Sequence, residues 1–520
     1  MLCGYCRENA QNNCSDCHLF PYCCPNHFDY HRFDGKCLPF KINYDEQKGH
    51  HMVATRNIRA MEVILEEYPL FHGPYVKSLP QCLECFKPIA DLDNTLRCAG
   101  CRFPMCGPPC SESSKLHSKT ECSRMAQANL EIQATNQVSR RKKKKNMEHD
   151  EELEACEENG IITFDYSVVN VLRGLELKAT KPDAWIDIMR LVDHNEQRKQ
   201  EGNPTWQLWM TEVIPRLEEH FPKSDIQDAL RILGIGITNS ANLNLRNGGR
   251  GTGLYPTFAR INHRCICNTK SIKHLDQKLQ VRASFPILAG EELTSQYVKP
   301  LNGTAIRKFI LRSKWYFECE CPRCADPTEL GSYLSAFTCT ECKHGTVLSK
   351  EPLNPDALWS CQNCSSESSV DHLQTYLDRC VEEVSASEPQ TNLIHHYEEC
   401  LHKFSTTLHP GHQILTDINS QLAILYGSPA FGGLAKMTRP ELDRKIQVCH
   451  QVLDTNGKVD PGYSVWRAKM LVQMTQTKVH VATRDFKAGF INEDQLENVL
   501  REEKFLRVYL AYYQSIFMGY

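Results

Sequence analysis

The chain has 520 residues, of which 41% are hydrophobic and 24% charged, with a formal net charge of -3 and a mean hydropathy of -0.46. This length predicts roughly three or four domains of a soluble globular protein. The balanced charge excludes a whole-protein positive field of the kind that drives non-specific nucleic-acid binding. Apolar runs fall far short of the roughly 18 residues that span a bilayer, and the start, MLCGYCRENA, has no signal-peptide core, so we expect an intracellular protein without membrane contact.

The 27 cysteines are clustered, and in a reducing compartment such clusters are more often zinc thiolates than disulfides. Two modules each contain two CxxC pairs, a longer-spaced pair and a closing His/Cys pair, which supplies two tetrahedral zinc sites per module. The first module offers Cys3, Cys6, Cys14, Cys17, Cys23, His27, His31 and Cys37, with Cys24 as an alternative to His31. The second offers Cys82, Cys85, Cys98, Cys101, Cys106, Cys110, His117 and Cys122. Buried cysteines without metal are the competing interpretation.

The segments between and after these modules differ in character. Residues 49–70, GHHMVATRNIRAMEVILEEYPL, predict two short strands and a turn. The basic SRRKKKKN (139–146) and the acidic EHDEELEACEE (148–158) predict a solvated, disordered insertion. The basic run is either a nuclear localisation signal or a solubilising loop, and the sequence does not decide between them.

Helical periodicity marks two regions further along the chain. Apolar residues recur at helical spacing between 165 and 235, which predicts a helical insert, and helices dominate again from about residue 370. There, Ile414, Ile418, Leu422 and Leu425 share one predicted helix face. A second predicted face contains Leu442, Ile446, Cys449 and Leu453.

A further CxxC pattern lies ahead of the C-terminal helices. Its two pairs, separated by 18 residues, are typical of a zinc ribbon that binds one metal ion. The predicted ligands are Cys339, Cys342, Cys361 and Cys364.

Three segments together resemble one protein family. GLYPTFARINHRCICN, AGEELTSQYV and FECECPRCADPTELG are similar, in this order, to the core and post-SET parts of SET-domain lysine methyltransferases. The two cysteine modules resemble MYND zinc fingers, so the chain is identified as a member of the SET and MYND domain (SMYD) family, and it looks most like the arthropod-specific branch. The fold class that this resemblance implies is α+β and zinc-rich, with a β-rich, pseudoknotted SET core and an all-α, TPR-like C-terminal lobe.

The resemblance implies a function and partners. The expected activity is methyl transfer from S-adenosyl-L-methionine to a lysine of a histone or non-histone protein. The alternative is a catalytically weak or silent adaptor whose MYND fingers bind proline-rich peptides. Direct DNA binding is disfavoured by the acidic balance and by the lack of a C2H2-type recognition helix. We expect a monomer in the nucleus and cytoplasm.

The family's site residues carry over to matching positions of this sequence. Tyr297 matches the catalytic tyrosine, and Tyr255 is expected to form a second wall of the lysine channel. The expected cofactor contacts are Lys48, His50, Asn239, Asn262, His263, Tyr297 and Phe317.

The metal pairing is also implied by the resemblance. In each MYND finger the first and third pairs are expected to share one zinc ion, and the second and fourth pairs the other. The post-SET site is expected to use Cys265, Cys319, Cys321 and Cys324, with Cys267 as a competing ligand. With the ribbon, the chain is expected to bind about six zinc ions.

Two positions depart from the family pattern. His51 replaces the second glycine of a Gly-x-Gly motif at residues 49–51, where we expect a side chain to restrict the backbone and crowd the cofactor pocket. Arg264 replaces a serine after the Asn-His pair and is expected to place a large cation inside a tightly knotted loop. Both departures bear on whether the site can catalyse the expected methyl transfer.

Nine segments follow from these interpretations. They are a first MYND-type finger (1–40), SET N-terminal strands (41–81), a second finger (82–122), a charged insertion (123–160), a helical insert (161–248), a SET core (249–300), a post-SET site (301–330), a zinc ribbon (331–369) and a helical lobe (370–520).

Overall fold

The computed structural model describes residues 3, 6, 8–14, 20–33, 37–112, 115–129, 134–135, 163–219, 221–245, 248–386 and 392–504. The predicted ligand Cys17 and the charged blocks 139–146 and 148–158 lie outside the described residues. The chain divides into two compact units. The first contains Met1–Ile64, Ile261–Ile272 and Val281–Tyr520, and the second contains Leu65–Arg260 and Lys273–Gln280.

The first unit contains short strands and one longer hairpin. The hairpin pairs Phe40–Asp45 with Gly49–Ala54 in antiparallel register, and Asn262–His263 pairs in parallel with Thr294–Ser295. The remaining strands of this unit are Asn12–Asn13, Pro21–Tyr22, Phe337–Thr338, Thr346–Ser349, Trp359–Cys361 and Glu367–Ser368. The last four form an antiparallel sheet in the stretch where the sequence predicts a zinc ribbon.

Turn chemistry determines the position of the hairpin. The Asp45 carboxylate accepts hydrogen bonds from the backbone N–H groups of Gln47, at 3.0 Å, and Lys48, at 2.6 Å. Gly49 follows with a φ of +68°, a left-handed conformation that glycine adopts without steric cost. The turn therefore closes at Gly49 and starts the second strand there, within the segment where the sequence predicts a strand.

The helices of the first unit lie mostly in its C-terminal part. They are Pro25–Phe33, Thr304–Trp315, Pro322–Ala325, Val370–Ser385, Leu393–Phe404, Gln413–Leu425, Arg439–Val459 and Val465–Lys487, followed by a helical stretch at 493–504. Two 3-10 helices, Pro429–Phe431 and Leu434–Lys436, separate two of the longer helices.

The buried faces of two of these helices test the predicted apolar stripes. In Gln413–Leu425, Ile414, Ile418 and Leu422 are buried, as predicted, while Leu425 is partly exposed. The stripe predicted in Arg439–Val459 is wrong in part, because Ile446 and Leu453 are only partly buried. The buried residues of that helix are Leu442, Lys445, Val448, Cys449, Val452, Thr455, Asn456 and Val459. Lys445 is therefore buried in the core, whereas the predicted apolar stripe placed the adjacent Ile446 there.

The second unit combines small sheets with a helical core. Its strands are Phe71–Pro74, Lys77–Ser78, Leu96–Arg97, Pro104–Met105, Ala134–Thr135, Thr163–Asp165, Ser240–Asn244 and Arg250–Leu254. Its helices are Pro108–Glu112, Cys122–Gln127, Ser167–Thr180, Pro182–Ile188, Asn195–Gln200, Pro204–Leu208, Ile214–Glu218 and Lys223–Asn239, with 3-10 helices at His117–Lys119 and Phe258–Arg260 and a π-helix at Trp209–Val213. Three more strands have residues in both units: Val63–Glu67, Thr269–Lys273 and Leu279–Ala283.

The predicted α+β class and the helical C-terminal region are confirmed. The predicted charged insertion, 123–160, begins with ordered residues: the helix Cys122–Gln127 buries Met125 in the core of the second unit. The prediction of disorder rests on the charged blocks 139–146 and 148–158, so this helix does not test it. Within the described part of the chain, every helix is too short or too polar to span a bilayer.

Candidate active site

The hairpin turn brings predicted cofactor residues of the first unit together. The backbone N–H of Leu293 donates to the Met52 carbonyl at 2.8 Å, and the N–H of Ala54 donates to the Glu291 carbonyl at 2.8 Å. As a result the Lys48 ammonium reaches the Glu292 carboxylate at 2.8 Å. This short backbone pairing is what aligns the turn with the segment that precedes Tyr297.

Asn262 lies at the same place. Its Nδ2 donates to the Lys48 carbonyl and to the Glu292 carboxylate, both at 3.3 Å. Lys48, Asn262 and Glu292 therefore form one polar cluster that joins the hairpin to the parallel strand pair. The predicted contact His50 lies in the adjacent strand, with its ring 5.1 Å from that of Tyr44.

His263 and Tyr297 are directly connected. The backbone N–H of Tyr297 donates to His263 Nδ1 at 3.0 Å, and His263 Nε2 lies 3.4 Å from the Cys265 Sγ. Because Nδ1 accepts a hydrogen bond, the ring proton of a neutral imidazole lies on Nε2 and points at the sulfur. Desolvation lowers the pKa of His263 to about 4, which fits this neutral form.

The Tyr297 phenol is fixed within an aromatic cluster. Its hydroxyl donates to the Ile261 carbonyl at 2.9 Å, and its ring centroid lies 4.8 Å from that of Trp315. Phe317 lies in the same cluster, 6.0 Å from the His263 ring. Desolvation, with a smaller contribution from the Glu292 carboxylate, raises the pKa of the Tyr297 phenol well above its ordinary value. The hydroxyl is therefore protonated at neutral pH.

The four predicted post-SET cysteines lie at one place. The sulfur atoms of Cys265, Cys319, Cys321 and Cys324 all lie within 4.8 Å of one another. Cys267 lies apart, since its Sγ donates to the Thr269 carbonyl at 3.1 Å. Four thiolates at this separation are the donor set of a closed structural zinc site. We call these four residues the Cys265 group.

The structure bears on the backbone of His51 and on the position of Arg264, while crowding of the cofactor pocket by His51 stays a prediction. His51 is buried in the strand at a φ that is not positive, so its position has no need of glycine. Its Nδ1 lies 3.2 Å from the Gly49 carbonyl and 3.6 Å from the Asp45 carboxylate. The Arg264 side chain is exposed and lines a cleft of about 350 Å³ with Glu291, Glu292 and Phe285, so the expectation of a cation inside a tight loop is wrong. Its backbone N–H meets the Ser295 carbonyl at 3.0 Å, and this pairing directs the side chain outward.

Two further cysteine sets of the first unit have the same chemistry. One contains Cys3, Cys6, Cys23 and His27, and the other contains Cys339, Cys342, Cys361 and Cys364. The remaining ligands of the first module are only partly described: the Sγ atoms of Cys14 and Cys37 lie 3.7 Å apart, and buried His31 stacks on Phe20 with centroids 3.9 Å apart. Cys24 is partly exposed. The choice between His31 and Cys24 stays a prediction.

In the second unit, the second module brings together the two sets of four that the interleaved pairing predicts. One contains Cys82, Cys85, Cys106 and Cys110, and the other contains Cys98, Cys101, His117 and Cys122. Thiolate and imidazole ligands in groups of four fit tetrahedral zinc. No disulfide bond joins the described cysteines.

A buried charge network that the sequence did not reveal supports His117. Its Nδ1 lies 2.7 Å from the Glu121 carboxylate, which pairs with Arg173 through Nε at 2.9 Å and Nη2 at 2.6 Å. Burial opposes ionisation of Glu121, but the Arg173 guanidinium outweighs it and lowers the pKa of the Glu121 carboxyl to about 2. In zinc sites a carboxylate commonly accepts the N–H of the histidine ring nitrogen that does not bind the metal, and so fixes the orientation of the ring. The one sign of this network in the sequence is Arg173, a charged residue within the apolar run VVNVLRGLEL.

Two predicted site residues belong to the second unit. Tyr255 is buried, and its hydroxyl donates to the Gln277 carbonyl at 2.6 Å. Asn239 ends the helix Lys223–Asn239, where its Nδ2 donates to the carbonyls of Val192, at 2.8 Å, and Ile235, at 3.0 Å. Their roles in a lysine channel and in cofactor binding stay predictions.

Comparison with known proteins gives several relatives, although no family model matches the chain. The chain is 28% identical over 332 residues to the SET domain-containing protein SmydA-8, isoform A, of Drosophila melanogaster. This alignment covers 61% of this chain and 63% of that protein. The chain is 24% identical over 348 residues, 65% of this chain and 66% of the relative, to histone-lysine N-methyltransferase ASHR1 of Arabidopsis thaliana. The chain thus spans less than two thirds of the length of these curated relatives.

Histone-lysine N-methyltransferase SMYD1 of Homo sapiens is 21% identical over 491 residues, 89% of this chain and 90% of that protein. Among solved structures, a crystal structure of the SET domain of LSMT bound to lysine and AdoHcy aligns with 92% of this chain and 91% of that one, at 13% identity and a TM-score of 0.23.

Proposed function

We propose, from the premise that the chain belongs to the SET and MYND domain family, that it is an S-adenosylmethionine-dependent protein-lysine N-methyltransferase. The observation that carries the proposal is the anchoring of Tyr297 by His263 Nδ1 and the Ile261 carbonyl. We assign Tyr297 the catalytic role from its match to the family motif, and these two hydrogen bonds hold its backbone and its hydroxyl at once.

Orientation is the main task of such a site. When bound, S-adenosylmethionine supplies the methyl group, and the target lysine must present a neutral amine in line with it. The Tyr297 phenol donates its only proton to Ile261, so its oxygen retains acceptor capacity toward the reacting groups. Its raised pKa keeps it protonated, which makes it an orienting group and not a general base. A free lysine has a pKa of about 10.4, so a desolvated channel must favour the neutral amine.

The residues proposed to hold the cofactor fit its chemistry. Lys48 and Asn262 offer an ammonium and an amide beside Glu292, which suits a zwitterionic amino-acid end. Phe317 offers an aromatic face next to the His263 ring, which suits a purine. His50 and Asn239 complete the proposed set on the resemblance alone. Each of the four-residue groups named above is proposed to hold one zinc ion.

Substrate, partners and location belong to the same proposal. We expect a histone or non-histone protein lysine as the acceptor, proline-rich peptides as partners of the MYND fingers, and a monomer in the nucleus and cytoplasm. The competing hypothesis is a silent adaptor. It is favoured by the ion pair between Lys48 and Glu292, because a cofactor carboxylate has to compete with Glu292 for the Lys48 ammonium.

Calorimetry of the folded, zinc-loaded full chain with S-adenosylmethionine distinguishes the two functions. We expect a dissociation constant in the micromolar range, as is typical of enzyme substrates. A methyl-transfer screen on a peptide library, run beside Tyr297→Phe, then tests the catalytic assignment. The matched control is Tyr68→Phe, which removes an exposed hydroxyl that donates to Asp276.

The outcomes are distinct. Methyl transfer that falls in Tyr297→Phe but not in Tyr68→Phe supports the enzyme. Absence of cofactor binding by the metal-loaded chain leaves the adaptor as the function. Wild-type methyl transfer by Tyr297→Phe removes Tyr297 from its role.

A further inference from the structure

Three charged side chains are buried beside the Cys265 group, all of them in the first unit. The Arg307 and Arg323 side chains are 0% exposed, and the Glu329 side chain is 2% exposed. Arg307 Nη1 meets the Glu329 carboxylate at 2.6 Å, and Arg323 Nη2 meets it at 3.1 Å. Two cations and one anion leave a buried excess of one positive charge, which is costly without a further negative partner.

Arg307 has an acceptor for each of its N–H groups. A guanidinium carries five N–H donors, one on Nε and two on each Nη. Nε points to the Cys265 Sγ at 3.3 Å, and Nη2 reaches the Cys324 Sγ at 3.4 Å and the Thr304 Oγ1 at 3.0 Å. Nη1 donates to the Glu329 carboxylate and to the Asn302 carbonyl, both at 2.6 Å. All five donors are used, two of them on sulfur.

Thiolates in the cluster account for the choice of sulfur as acceptor. A neutral thiol is a weak acceptor and leaves the buried positive charge uncompensated. Four thiolates around Zn²⁺ carry a net charge of about -2, which attracts a guanidinium and accepts its N–H groups well. The excess positive charge and the thiolate group therefore compensate each other.

We propose that Arg307 is a positioning residue of the Cys265 group, which neutralises its thiolates and fixes Cys265 against His263 and Tyr297. Cys265 receives Arg307 Nε on one side and faces His263 Nε2 at 3.4 Å, while His263 Nδ1 holds the Tyr297 backbone. Arg307 lies on the helix Thr304–Trp315, whose last residue packs on the Tyr297 ring. The helix and the metal group thus hold the tyrosine from two directions. This inference rests on metal occupancy of the group and not on methyl transfer.

The experiment measures zinc and not activity. Zinc-loaded full chains of wild type, Arg307→Met and Arg307→Lys are challenged with a chromogenic chelator, and total zinc is counted by mass spectrometry. We expect Arg307→Met to release one zinc ion about tenfold to a hundredfold faster, because loss of a group that hydrogen-bonds to metal ligands usually weakens metal affinity by about that factor. Arg307→Lys should be intermediate, because lysine keeps the charge but lacks the five-donor fork.

The matched control is Arg312→Met. Arg312 lies on the same helix, but its side chain is 69% exposed and reaches Glu318 at only 3.8 Å. It should release zinc like the wild type. Cobalt substitution adds a readout that general destabilisation does not move: loss of N–H donors to sulfur should shift the thiolate-to-cobalt charge-transfer band in Arg307→Lys.

Two results overturn the proposal. One is zinc release by Arg307→Met at the wild-type rate. If circular dichroism shows that Arg307→Met does not fold, zinc release by Arg307→Lys at the wild-type rate overturns the proposal instead. The other is faster release with an unchanged cobalt band, which assigns Arg307 a merely structural role. Because no methyl transfer is measured, a silent enzyme leaves this proposal standing, and its failure leaves the proposed activity untouched.

Discussion

Lys270 and Asp460 form a buried ion pair that joins the strand Thr269–Lys273 to the segment between two long C-terminal helices. The side chains are 14% and 4% exposed. Lys270 Nζ also donates to the Gln296 Oε1 at 2.7 Å, and Gln296 Nε2 donates to the Cys265 carbonyl at 3.1 Å. The pair therefore connects the C-terminal helices to the residue that precedes Tyr297.

Removal of the lysine should destabilise the first unit strongly. Lys270→Met leaves the Asp460 carboxylate buried without its cation, so we expect the free energy of unfolding to fall by about 3–5 kcal/mol. Urea denaturation followed by circular dichroism measures the change. The control, Lys278→Met, removes a more exposed pair with Glu66 and should cost less than about 1 kcal/mol. Equal losses in the two variants would contradict the role of the buried pair.

The two cysteines of the segment RCIC should differ in metal content. We expect Cys265→Ser to lose one zinc ion per chain, because it removes one of four sulfur ligands. Cys267→Ser should retain the wild-type zinc content, because the Cys267 thiol faces the Thr269 carbonyl. Elemental analysis measures the zinc content of the purified, folded variants. Loss of zinc in Cys267→Ser but not in Cys265→Ser would make Cys267 the ligand.

Glu121→Gln should loosen the metal site that contains His117. The amide leaves Arg173 buried without a counterion and no longer fixes the His117 tautomer by charge. We expect release of one zinc ion from the second module to accelerate by about tenfold or more. The control is Glu112→Gln, which removes an exposed carboxylate from the neighbouring helix Pro108–Glu112. Indistinguishable release from the two variants would remove Glu121 from this role.

Lys445 should make stability depend on pH in the alkaline range. Its ammonium is buried against the Tyr426 carbonyl, at 2.5 Å, and the Gln473 Oε1, at 2.8 Å, and burial lowers the pKa of Lys445 to about 8. An unfolded lysine titrates near pH 10.4, so between about pH 8 and 10.4 the unfolded state binds more protons and stability rises with pH. Below pH 8 the penalty is constant.

Lys445→Met should abolish this rise. We expect the variant to be more stable than the wild type at pH 7 by a few kcal/mol, with the difference shrinking toward pH 10, when urea unfolding is compared across the range. The difference between the two chains cancels other groups that titrate there. Parallel stability curves would show that Lys445 has the same pKa in both states.

Local spacing was sufficient to predict the pairs of cysteine ligands, but not which pairs share a metal site. A CxxC pair fixes two ligands through a few covalent bonds, whereas the combination of pairs and the distant ligand Cys265 came from the family resemblance. The structure brings together those same sets in the second module and around Cys265. The strands predicted between residues 49 and 70 are Gly49–Ala54 and Val63–Glu67. Both signals are short-range, which is why a sequence carries them.

Buried charges were beyond such patterns. Arg307 occupies the apolar phase of its helix, together with buried Thr304 and Leu311, and Lys445 does the same in Arg439–Val459. Periodicity assigns such positions to apolar residues, and the partners that make a charge tolerable lie far away in the sequence, as Cys265 does for Arg307. In the sequence, the only sign of the buried Arg307 is a charged residue at a helix position where the periodicity predicts an apolar one.

The Cys265 group also closes a long loop of the chain. Cys265 and Cys319 are 54 positions apart, and the segment between them carries Tyr297 and Trp315. With a bound ion, this loop is clamped at its base, and loss of the ion would release the tyrosine's anchors in one event. A bound ion would act here as a cross-link that limits the conformational freedom of the loop in the unfolded chain, and a chain without the ion would lose that stabilisation.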